Sequence, residues 1–267
     1  MHSCHLPGIL VKHPDQANNM KHWYTIFTFL LLSSTAGAQT TFLPSGKIEF
    51  ERKTNTHRLF LSDDEGSWIE DFKKLIPQFK VDYFDLMFTE GKTFYRPGRE
   101  TDQKANGFFE SPAGENVVYK DLQHGTLVSQ KRVFESHFLV ADSVKQLEWK
   151  IESETRNIAG FECRKAVTRI CDSVVVVAFY TEEILPSSGP ESFGGLPGMI
   201  LGMAIPRLYT TWFATKVEML SDADAGKIAA PVKGKKASGK EMIDKVNTGI
   251  SDWGDKFRNK AIWFVSL

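Results

Sequence analysis

The chain has 267 residues, 42% of them hydrophobic and 12% aromatic, enough apolar material for a sizeable core and too much for wholesale disorder. Its 33 basic and 33 acidic residues balance, so a dedicated nucleic-acid binder is not expected. No stretch reaches the ~20 consecutive apolar residues that cross a bilayer as a helix, which argues against a transmembrane span in the mature chain.

The first element in chain order is a leader. From Met20, "MKHWYTIFTFLLLSSTAGAQ" begins with a charge at Lys21, runs apolar from Trp23 to Leu32, and ends in Ala36-Gly37-Ala38. That is the pattern of a secretory signal peptide cut after Ala38, with an apolar core too short for a membrane anchor. No cysteine follows the cut, so lipid attachment there is not expected. Residues 1–19 carry two prolines and no apolar period ahead of this complete signal, and read as an upstream start that is not used. The resulting layout is 1–19 upstream segment, 20–38 signal peptide, 39–225 antiparallel β domain, 226–267 polar loop and helical tail.

Period-two alternation dominates Lys47 to Val217 and predicts half-buried strands. "KIEFERK" sets Ile48 and Phe50 against charges, and "YFDLMF" puts Phe84, Leu86 and Phe88 on one face. Glu90-Gly91 supplies a turn into "KTFY". "ENVVYKDL" and "TLVSQKRVF" flank a hairpin turn at Gln123-His124-Gly125. "LEWKI" alternates Leu147, Trp149 and Ile151; "GFECRKAVTRI" and "SVVVVAFYTEE" flank Asp172; "RLYTTWFATKVE" closes the series. Strands so spaced predict a mainly β fold, an antiparallel sheet that curls or forms a half-barrel.

Two helices complete the picture. "SWIEDFKKLIPQF" repeats apolar residues at Trp68, Ile69, Phe72, Leu75 and Ile76 until Pro77 stops it. Its expected place is over the concave face, above Trp149 and Trp212. Ser238 and Glu241 fit a capping box that opens a short C-terminal helix.

The densest signal is "GPESFGGLPGMILGMAIPRL", Gly189 to Leu208, with four glycines between Gly194 and Gly202 beside the apolar load of a strand. Gly194-Gly195-Leu196-Pro197-Gly198 reads as a tight shaped turn, and Gly202 as a bulge or close backbone contact. "GGLPGMILGM" resembles the signature of the GLPGLI family, secreted proteins of Bacteroidetes-type bacteria whose role is undefined. "GKIEFERKTN", "LEWKIESETRNIAGFECRKA" and "VVVAFYTEEILPSSGPESFGGLPGMIL" extend the resemblance over most of Gly46 to Val217, with Met199 where the motif has leucine. The resemblance implies export and brings no catalytic assignment.

Chemistry is sparse. The glycine loop lacks the Gly-Lys-Ser/Thr of a phosphate loop and the G-x-S-x-G of a nucleophile elbow. Cys163 and Cys171, eight residues apart along one strand, stand too far apart for a bridge unless that strand bends, so free thiols are favoured. His57, His124 and His137 lack ligand-spaced neighbours, and neither metal nor cofactor is expected. The candidate ligand or partner surface is Gly194, Gly195, Leu196, Pro197 and Gly198 with Trp149 and Trp212. The leading expectation is an exported protein of the periplasm or outer membrane that binds an apolar ligand or an envelope partner without catalysis. The alternatives are a hydrolase-like envelope enzyme using the glycine loop, or a structural accessory of an outer-membrane receptor.

Export has a direct test. N-terminal sequencing of the protein recovered from the envelope of expressing cells should begin at Gln39; retention of Met1 would refute cleavage after Ala38.

Overall fold

In the computed structural model, the described residues are 42–61, 68–101 and 113–267. The expected signal peptide lies outside them. Among the described residues twelve strands form one open sheet, in the order β12-β6-β5-β4-β3-β2-β1-β11-β10-β9-β8-β7. The strands are β1 Gly46–Asn55, β2 Phe79–Phe88, β3 Lys92–Pro97, β4 Val117–Asp121, β5 Thr126–Val133 and β6 Ser136–Ser143. They continue as β7 Lys150–Ile158, β8 Phe161–Ile170, β9 Val174–Thr181, β10 Met199–Ile205, β11 Thr210–Glu218 and β12 Lys235–Lys236. All pairings are antiparallel except β12 with β6. The fold is the mainly β, antiparallel class that the alternation predicts.

Parity decides most of what is inside. On β1, Ile48, Phe50, Arg52 and Thr54 are buried; on β2, Phe84, Leu86 and Phe88, with Asp85 and Met87 of the other parity covered as well; on β3, Thr93 and Tyr95; on β4, Val118 and Lys120. The same apolar cluster takes in Ile158, Ala166, Val176, Met203 and Trp212 from the far half, so the sheet curls until one face encloses a common core. The polar members of that inner face, Arg52, Lys120 and Lys131 among them, are the departure from an ordinary apolar interior.

The turns fall where the sequence places them. Gly125, at φ 65°, sits in the β4–β5 hairpin, and Cys171 and Asp172, at φ 47° and 60°, join β8 to β9. Cys163 is buried and Cys171 exposed, both free. Leu201 is skipped in the β9–β10 register, where Ile200 faces Tyr180 and Gly202 faces Phe179, so the bulge expected at Gly202 is present.

Two expectations change. Trp149 and Leu147 precede β7 in a connector rather than lying on a strand, and β7 is the exposed edge of the sheet, with Ile151 43% exposed. The predicted helix over Ser67–Ile76 exists as Trp68–Leu75, but its described apolar side chains do not meet the concave face: Leu75 is 69% exposed, and Ile76 packs with Leu61 in a small separate cluster. The side chains of Trp68 and Phe72 lie outside the described set. The α-helices among the described residues are α1 Thr56–Leu61, α2 Trp68–Leu75, α3 Asp222–Ala225, α4 Gly239–Gly249 and α5 Asp255–Val265.

The C-terminal helices supply the cover. Ser238 accepts from the Glu241 amide and Glu241 returns a bond to the Ser238 amide, closing the expected capping box on α4. Met242, Val246 and Ile250 then pack on Val133, Phe138 and Val140 of β5 and β6. Phe264 and Leu267 enter the main core. The tail is part of the fold rather than an appendage.

Glycine in the 194–198 turn has unequal importance. A Cβ on Gly198, at φ 126°, would stand 2.0 Å from the Thr181 carbonyl oxygen, whereas one on Gly195, at φ 85°, meets nothing closer than 3.7 Å. Gly195→Ala should therefore cost only the strain of its positive φ, about 1–2 kcal/mol, and Gly198→Ala distinctly more, roughly 3 kcal/mol or above. Urea unfolding of both variants checks the order; equal costs would refute the close approach at Gly198.

Candidate ligand groove and the charge cluster behind it

The segment after β9 must turn back across the mouth of the sheet, and its backbone polar groups are buried as it does so. Ser188, Gly189, Pro190, Glu191, Phe193 and Gly194 are all buried. Lys120, on the inner face of β4 and 1% exposed, supplies the missing donors. Its ammonium donates to Ser188 Oγ at 3.1 Å, the Gly189 carbonyl at 3.2 Å and the Phe193 carbonyl at 2.5 Å. Thr93 and Ser188 share a further hydroxyl contact of 3.1 Å. Trp149 Nε1 donates to the Gly194 carbonyl at 3.0 Å, and Ser187 Oγ accepts from the Gly195 amide at 3.0 Å. Burying an ammonium costs several kcal/mol, and three charge-assisted bonds at about 1.5–3 kcal/mol each are of the size needed to offset it. Desolvation still pushes Lys120 down to about 7, against the pull of Glu191.

Glu191 is the carboxylate of the cluster. It is fully buried at φ 55°, a conformation costly for glutamate. Asn116 Nδ2 donates to one oxygen at 2.8 Å and the Tyr95 hydroxyl to the other at 3.4 Å. Burial raises its pKa, opposed chiefly by Arg52 and the Asn116 bond. Arg52 lies 4.8 Å over the Phe84 ring, which stacks on Tyr95 at 4.9 Å. Its guanidinium donates to the Ala113 carbonyl at 3.1 Å and to Asp82 at 2.7 Å. Lys131, pushed down to about 8 by desolvation, donates to the Val265 carbonyl at 2.9 Å.

Asn116, Ala113 and Val265 are also walls of a groove of about 540 Å³. Its apolar floor includes Leu59 of α1, Val133 of β5, Val246 of α4 and Ile250 just past its end, and Phe264 of α5. Phe60 and Phe257, with ring centroids 6.3 Å apart, and Phe134 line it too. Two of its three acids are held in ion pairs: Asp82 with Arg52 at 2.7 Å and Lys80 at 3.6 Å, Glu115 with Arg132 at 2.7 Å and His137 at 3.1 Å; the third, Glu135, is exposed at the rim and forms none among the described residues. Partial burial works against Glu115, but the bonds from Arg132 and His137 hold its carboxyl below the usual range. The arrangement can grip a ligand with an apolar body; it offers no pair of unengaged carboxyls for acid–base exchange.

The residues singled out from sequence are only partly brought together. Trp149 meets the 194–198 turn through its indole bond. Trp212 is fully buried and presents no surface to a ligand, because its position on β11 faces the common core. Gly194, Leu196 and Gly198 are buried as well, leaving Gly195 and Pro197 as the exposed part of the turn. None of the seven lines the groove. Among the described residues no group of three His, Cys, Asp or Glu side chains is placed to hold a metal. His57 instead contacts the Ile76 carbonyl at 3.0 Å, and His124 contacts Asp121 at 3.0 Å.

Lys120, Glu191, Arg52 and Asn116 escape the sequence reading. A signal was present for two of them: Lys120 shares the parity of Val118, and Arg52 that of Ile48 and Phe50. Nothing in the sequence marks Asn116 or the groove.

A model of the family described as N-glycanase peptide, N-terminal domain, matches residues 87–239, more than half of the chain. Solved structures of PNGF-II share the fold. One, in space group C2, has 16% identity and a TM-score of 0.50 over 75% of this chain and 32% of that one. Another, in space group P21, has 18% identity and a TM-score of 0.50 over 76% and 34%. The chain thus spans about a third of the length of either. A comparison with curated proteins finds no match.

The charge cluster makes two measurable claims. Lys120→Met would strand three buried oxygens and should cost about 3 kcal/mol or more in urea unfolding. Glu191 has its folded pKa raised above the unfolded 4.5, so its contribution is complete below pH 4.5 and is lost as the pH rises through the folded value. Stability measured from pH 4 upward should fall relative to Glu191→Gln across that window; parallel curves would show that Glu191 does not titrate with folding.

Proposed function

We propose, for a chain that belongs to the N-glycanase peptide, N-terminal domain, family, the role of an exported cell-envelope protein that binds a ligand with an apolar body and performs no chemistry on it. The observation that carries this reading is the groove: about 540 Å³, apolar at its floor, with Asp82 and Glu115 engaged in ion pairs and only the exposed Glu135 unengaged. That volume is within the usual ~300–1,000 Å³ of small-molecule sites. The resemblance of the glycine-rich segment to GLPGLI proteins and the Met20–Ala38 pattern support export to the periplasm or outer membrane. No helix among the described residues is long and apolar enough to cross a membrane.

The hydrolase alternative built on the Gly194–Gly198 loop has little support, since the nearby carboxyl, Glu191, is fully buried. The family's name favours a second reading, in which the groove receives a glycan-bearing chain. Phe60 and Phe257 would offer ring faces and the Asp82, Glu115 and Arg132 rim hydrogen bonds. With about a third of the PNGF-II length present, N-glycanase activity is not carried over to this chain.

Calorimetric titration of the delipidated mature protein with dodecanoate, dodecanol and an N-glycopeptide separates the readings. Saturable 1:1 binding of a dodecyl compound, weakened at least about tenfold by Ala261→Trp at the groove wall, is expected. Binding of the glycopeptide alone would select the second reading, and binding indifferent to Ala261→Trp would refute the groove.

A further inference from the structure

The β12 edge of the sheet is built from the segment Val232-Lys233-Gly234-Lys235-Lys236, with Lys240 following in the first turn of α4. All four lysines are exposed, and Val232 is 82% exposed. None of the four forms an ion pair within 4 Å among the described residues, although Glu241 feels Lys235 through space. Other exposed lysines, Lys74, Lys216 and Lys227 among them, have a carboxylate within 3 Å, and those that have none among the described residues, such as Lys92, Lys145, Lys150 and Lys245, are scattered along the chain rather than gathered in one run.

The segment is also held in place. Lys235 and Lys236 pair in parallel with Phe138 and Leu139 of β6, and the Ala237 amide donates to the Leu139 carbonyl at 3.1 Å. The capping box on Ser238 then fixes the chain direction into α4, which is anchored through Met242 and Val246. Lysines on an edge strand also discourage edge-to-edge pairing. Two ordered residues would need little such protection, however, and the run extends to Lys233 and Lys240 on either side.

We infer that this edge docks the protein on an anionic phospholipid surface, with the lysines among the head groups and Val232 at the acyl boundary. Charge complementarity selects the partner. Four unengaged ammonium groups within eight residues face a surface of negative charge, and a small exposed apolar side chain leads them. Glu241, Asp244 and Asp142 are the acids on the elements nearest, so the local excess remains positive. None of the residues Val232 to Lys240 lines the groove, so the inference stands apart from the ligand proposed for that site.

The test is co-sedimentation of the purified mature chain with vesicles of phosphatidylcholine alone or with 30% phosphatidylglycerol, about 0.1 M and 0.5 M salt being compared because screening shortens the reach of exposed charge. Binding to the anionic vesicles only, abolished at the higher salt, is expected. Each basic residue near such a surface is worth about fivefold, so Lys235→Glu with Lys236→Glu should weaken binding at least about 30-fold. Both side chains are exposed, so the circular dichroism melt of the double variant should match the parent. Binding equally to both vesicle types, binding unaffected by the charge reversals, or no binding to vesicles while heparin is retained would each overturn the inference.

Discussion

The structure depends on satisfying a stretch of backbone that the sheet has no strand to pair with. Between β9 and β10 the chain crosses the core mouth, and the oxygens of Ser188, Gly189 and Phe193 converge where water is excluded. Lys120 answers all three with a single ammonium. A hydroxyl or amide would have offered one or two donors, too few for three convergent acceptors. Tight packing of the loop follows: Ile200 returns a backbone bond to the Ser188 carbonyl at 2.8 Å, and Gly198 lies against Thr181 with no room for a methyl. Glycine in this loop serves contact more than flexibility.

The same polar interior connects the loop with the groove. Glu191 reaches Asn116, Arg52 reaches Ala113, and Lys131 reaches Val265, so three bonds run from the core to the groove wall. The wall is thereby held in place from the core side, which would reduce the ordering that any molecule entering the groove had to impose. The C-terminal helices complete the site from the other side, and this explains why neither the sheet nor the helices alone define it.

Alternation along β1 to β6 and β8 to β11 made the sheet legible, and Ser238-x-x-Glu241 made the start of α4 legible. Polarity misled where it outranked parity. Arg52 and Lys120 look like solvent-facing charges until their neighbours at two-residue spacing are counted. Trp149 looks like a strand residue because Leu147 and Ile151 flank it, but its indole is drawn to the Gly194 carbonyl, and the strand begins one residue later. The α2 stripe read as a cover because a helical period shows only that a face is apolar, not what it meets. The groove was illegible for a related reason: its walls come from Leu59, Asn116, Val133 and Phe264, which only the tertiary fold brings together.

Strand order has a temporal consequence. β1 lies between β2 and β11, and Thr54 meets Thr210 across 156 positions of chain. During synthesis the hairpins from β2 to β6 can assemble early, yet one flank of β1 must wait until nearly the whole domain has been made. Closing so long a loop is entropically slow, and it commits the two halves of the sheet at once. A chain of this topology is therefore available in an incomplete state for most of its elongation, and it acquires its enclosed interior only when the penultimate strand arrives.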